Sequence, residues 1–66
     1  MEKTRIKELR EERGLSQAQL AEAIGLNQRR ISDYETGRVE PNIKTIKELC
    51  RIFNVTAGQL LGTEEL

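Results

Sequence analysis

The chain has 66 residues, 36% hydrophobic and 33% charged, with 11 basic residues balancing 11 acidic ones. That length holds one domain at most, and a domain so small buries only about 60% of the surface its unfolded chain exposes, so its core must be economical. A single cysteine and no histidine exclude an intrachain disulfide framework and a cysteine-rich zinc site. Zero net charge offers no basic footprint for a polyanion unless the charges are sorted in space.

The opening MEKTRIKELR lacks the apolar segment of a signal peptide, and no apolar run approaches the roughly 18 residues that span a bilayer. A cytoplasmic protein with no membrane association is the expectation. No stretch alternates with period two, so the elements read as helices. The first is predicted at about 4–13, with Ile6, Leu9 and the stem of Arg13 on one face and Gly14 as its stop. In LSQAQL, Ser16 caps a second helix at about 17–24, Gln19 completes a capping box, and Leu15 staples onto Leu20. Gly25 ends that helix. Leu26, the cap Asn27 and Ile31 then open a third helix at about 28–35.

Pro41 blocks backward extension, and Asn42 caps a fourth helix at about 43–53 that carries Ile43, Ile46, Leu49, Cys50 and Phe53. Cys50 reads as a buried structural thiol, because free cysteine packs as a small hydrophobe; a thiol without a partner fits a reducing compartment. VTAGQL repeats the capping box with Thr56 and Gln59 before a short fifth helix at about 57–61, and GTEEL is expected to fray. The reading is a single all-α domain over residues 1–66.

Only Gly25, Leu26 and Asn27 separate the second helix from the third, the spacing of a helix-turn-helix. Ala21 lies where the helices cross, Gly25 supplies a positive φ, and Leu20, Ile24, Leu26, Ile31 and Tyr34 face inward. With Ile31 and Tyr34 buried, Gln28, Arg29, Ser32 and Asp33 share the outward face. DNA's major groove admits a helix, and there Gln pairs with adenine, Arg with guanine, and Asp accepts from cytosine. These four are the candidate base contacts. Ser32 either touches a base or only permits close approach. Asp33 either accepts from a base or pairs with Arg29 or Arg30, and Arg30 is a phosphate contact or a surface charge.

LSQAQLAEAIGLNQRRISDYETGR, followed by PNIKTIKELCRIFNV, resembles the phage-repressor and Cro class of helix-turn-helix domains, the XRE family, over about residues 4–62. The resemblance implies a five-helix, lambda-repressor-like fold and a DNA-binding transcriptional regulator, a repressor or autoregulatory controller, with no enzymatic activity, metal or cofactor. It sets Gln28, Arg29 and Asp33 at base-contacting positions, and Gln17 and Arg38 at phosphate-contacting ones, to which Asn27 and Arg30 are added. Arg10 and Glu35 match an internal salt bridge. It further implies a dimer on a palindromic operator. Val55, Leu60, Leu61 and Leu66 either exceed what a five-residue helix needs for anchorage and form the candidate dimer contact, small enough for weak association favoured on DNA, or Val55 and Leu60 are its staple and Leu61 completes the core, leaving Leu66 disordered. Asp33 departs from the pattern, since a carboxylate facing DNA repels phosphate. That departure and the neutral charge favour the alternative, a protein-interaction module of the same fold, coactivator-type or antitoxin-associated.

Overall fold

A helix opens with backbone N–H groups that have no partner within it, and side-chain oxygens of Ser, Thr and Asn satisfy them best. Such caps start four of the five helices in the computed structural model, which describes residues 4–66. Ser16 and Thr56 each accept from the backbone of the residue three positions on, Gln19 and Gln59, whose side chains reach back to complete capping boxes. Asn27 and Asn42 accept from the backbone of Arg30 and Thr45, each at 2.8 Å. The resulting elements are α1 (Ile6–Glu12), α2 (Gln17–Ile24), α3 (Gln28–Thr36), α4 (Ile43–Phe53) and α5 (Ala57–Leu61). No strand occurs among the described residues, and none of these helices is long and apolar enough to cross a membrane.

Each helix contributes to one core. Ile6 and Leu9 come from α1, Leu20 and Ala21 from α2, Ile31 and Tyr34 from α3, Leu49 and Phe53 from α4, and Leu60 from α5. The most extensive helix pairing is between α2 and α3, where Ala21, 2% exposed, lets the backbones approach. Cys50 is half-buried against this core, and burial pushes its thiol above the ordinary value, which keeps it neutral.

Two expectations about the ends of the chain are corrected. The first helix begins at Ile6 rather than near residue 4, because the two preceding residues are used elsewhere. The Thr4 hydroxyl accepts the Ile6 N–H at 3.3 Å, and the Arg5 N–H donates to the Leu60 carbonyl at 2.8 Å, tying the start of α1 to α5. GTEEL does not fray; it folds back over α5. The N–H groups of Thr63 and Glu64 donate to the Gly58 carbonyl at 2.8 and 3.0 Å, and the Arg5 guanidinium holds the carbonyls of Gln59 and Glu64. Arg13, whose stem the sequence assigned to the buried face of α1, extends its guanidinium 5.5 Å from the Phe53 ring centroid and donates to the Phe53 carbonyl at the end of α4.

Candidate nucleic-acid interface

The turn between α2 and α3 brings the starts of the two helices together. Gly25 adopts φ +72°, the left-handed conformation that glycine reaches without steric cost, and the Leu26 N–H returns to the Ala21 carbonyl at 2.9 Å. Gln17 and Gln28, the first residues of their helices, are thereby brought side by side. Gln28 Nε2 donates to Gln17 Oε1 at 3.3 Å, and Gln17 Nε2 donates to Glu35 Oε1 at 3.0 Å. Glu35 in turn receives Arg10, from Nε at 2.7 Å and from Nη2 at 3.2 Å, while Arg10 Nη1 donates to the Leu15 carbonyl at 2.8 Å. A continuous line of hydrogen bonds therefore runs from the exposed Gln28 to a buried ion pair. The hydrogen bond that Arg10 donates to Glu35 raises the Arg10 guanidinium above its ordinary value and outweighs the opposing effect of burial.

On α3, Gln28, Arg29 and Arg30 are exposed, Ser32 and Asp33 are half-buried, and Ile31, Tyr34 and Glu35 are buried. The Asn27 side chain is exposed but committed to its cap. Asp33 Oδ1 lies 3.5 Å from Arg29 Nε and 3.9 Å from Arg38 Nε. These contacts sort charges that balance in the sequence. Of the four acids between Ser16 and Asn42, Glu35 is withdrawn into the core by Arg10 and Asp33 lies between two guanidinium groups, while Glu22 and Glu40 reach solvent, as do Arg29, Arg30 and Arg38.

The glutamine–glutamine–glutamate line and the Asp33–Arg38 contact were not apparent in the sequence, since both join residues on different elements. Lys44 was also passed over; it lines, with Asn42, Thr45 and Glu48, a shallow groove between the α2–α3 turn and the start of α4. The four candidate dimer residues divide. Leu60 is fully buried, a core residue with no surface to offer a second copy. Val55 and Leu61 are half-buried, and Leu66 is 56% exposed.

Residues 6–60 match the model of a family described as helix-turn-helix. Over 62 residues the chain is 37% identical to the HTH-type transcriptional activator BcrR of Enterococcus faecalis, covering 94% of this chain and 30% of that protein. It is 32% identical over 62 residues to the HTH-type transcriptional regulator ImmR of Bacillus subtilis, covering 94% and 49%. With the cryptic phage CTXphi transcriptional repressor RstR of Vibrio cholerae it shares 31% identity over 62 residues, covering 94% and 56%. The chain thus spans less than two thirds of the length of each.

Proposed function

The chain belongs to the helix-turn-helix family, and from that membership we propose that it is a cytoplasmic, DNA-binding transcriptional regulator that inserts α3 into the major groove. The observation that carries the reading is the Gln28–Gln17–Glu35 line, which holds a polar, base-competent side chain in place at the exposed start of α3. Gln28 and Arg29 read bases, with Ser32 permitting close approach. Gln17, Asn27, Arg30 and Arg38 engage the phosphates, assisted by the N-termini of α2 and α3, whose free N–H groups attract anions. Asp33, half-buried and engaged by Arg29 and Arg38, is less suited to reach a base than the exposed Gln28 and Arg29.

One recognition helix covers few base pairs, so we further propose that two copies bind a palindromic operator with half-sites about 34 Å apart. The longest extent of the molecule is 27 Å, which leaves two such copies meeting only along an edge. Val55, Leu61 and Leu66 are suited to that edge, and an edge so small fits weak association strengthened by DNA.

The test is selection of bound sequences from a random duplex pool, followed by titration of two variants. Arg29→Ala should cost about 1–3 kcal/mol on the preferred site and relax choice at one base pair, whereas Arg38→Ala should weaken all sequences alike. Recovery of no preferred sequence would overturn the proposal, and equal sequence-independent losses would remove Arg29 from the base contacts.

A further inference from the structure

The Asp33 side chain is 16% exposed, against 75% for Arg29 and 69% for Arg38, and a single oxygen faces Nε of both. The backbone builds this meeting. Gly37 turns the chain at the end of α3 with φ +80°, and the Asp33 carbonyl accepts the N–H groups of Arg38 at 2.9 Å and Val39 at 3.3 Å. Arg38 is thereby drawn back over the helical turn that carries Asp33, while Arg29 lies one turn earlier at the spacing that makes helix neighbours. A well-covered anion stands between two exposed cations, one on the outward face of α3 and one in the loop that follows.

We propose that Asp33 is a positioning residue that sets sequence specificity: its carboxylate competes with phosphate for Arg29 and Arg38 and so weakens their hold on an arbitrary duplex. The inference rests on α3 being the helix that reads DNA. Exposed ion pairs are weak and exchange readily, so the pairing does not block binding; it changes what binding gains. On an arbitrary duplex, a guanidinium that leaves Asp33 for a phosphate trades one anion for another and leaves a carboxylate among phosphates. On the preferred site, Arg29 reaches both O6 and N7 of a guanine, two directed acceptors that a phosphate encounter does not supply, while Arg38 is shared between Asp33 and a phosphate on every duplex alike. The carboxylate weakens all binding, and weakens unselective binding more. A negative group on a face turned toward a polyanion then has a use.

The experiment compares the parent with Asp33→Asn, neutral and of the same shape, on the selected duplex and on a scrambled duplex of equal composition, each across a range of salt. Affinity for the scrambled duplex should rise about two- to fivefold, the factor that release of an exposed ion-pair partner supplies. Its log–log salt slope should steepen by about 0.9, the contribution of one further phosphate, and preference for the selected duplex should fall. Adding Arg38→Gln to Asp33→Asn should remove the steepening, and Asp33→Glu, which keeps the charge, should hold preference near that of the parent. A loss confined to the selected duplex, with altered choice at one base pair, would make Asp33 a base reader and overturn the proposal, as would unchanged affinity on both duplexes. A parent for which selection recovers no preferred duplex is a separate failure, that of the DNA-reading assignment, and removes the proposal with it.

Discussion

Arg10 and Glu35 are 11% and 4% exposed in their side chains, so each charge depends on the other for a partner. Removing one member of a buried pair leaves the other uncompensated, which costs about 3–5 kcal/mol. Arg10→Ala should lower the urea midpoint of unfolding accordingly. Arg10→Lys should recover only part of the loss, because an ammonium cannot reproduce the two bonds to Glu35 and the third to Leu15 in one planar fork. A parent-like midpoint for Arg10→Ala would show that the pair carries no stability. This pair was legible only through likeness to other proteins: nothing in the spacing of residues 10 and 35 says that α1 and α3 meet there. Gln17 was likewise placed at the DNA surface, with no sign that its amide would face inward to Glu35.

At the scale of the element, the turn after α2 separates backbone strain from packing. No atom lies within 4 Å of where a Gly25 side chain would begin, so Gly25→Ala should lose about 1–2 kcal/mol from the left-handed backbone alone. Gly25→Asn should lose less, since Asn tolerates that conformation. Denaturant unfolding of the two variants checks the order, and equal losses would point away from backbone strain. Ser16→Ala should cost about 1 kcal/mol by removing the α2 cap. Caps of this kind made the boundaries readable. α2, α4 and α5 begin where Ser16, Asn42 and Thr56 place them, because a cap and its target N–H are three residues apart. The start of α1 and the fold of the last residues were not readable, because Arg5 bonds to α5, some 55 positions away in sequence, and Glu64 settles over Gly58. In the latter case the Glu64 carboxylate lies where a β-carbon on Gly58 would begin, so a side chain there would have to displace it.

For the whole molecule, net charge is a poor guide to its field: Arg10 and Glu35 cancel one another inside, and the field outside depends on where the remaining exposed charges lie. If each copy neutralises about four phosphates, log affinity should fall with log salt at a slope near −3.6 per copy. An affinity indifferent to salt would argue for a protein partner instead. Sedimentation with a duplex carrying two half-sites should give two copies per duplex, and without DNA a monomer when dilute; one copy per palindromic duplex at saturating protein would exclude the dimer. The chemistry of Glu35 sets a constraint of another kind. A buried ion pair can often be exchanged for apolar side chains of similar volume with no loss of stability, or with a gain. Here the same carboxylate also anchors Gln17, and through it Gln28. A variant improved for thermal endurance by such an exchange would keep its shape and leave Gln17 and Gln28 without their anchor. If Gln28 reads a base as proposed, durability and discrimination cannot be tuned separately at this position.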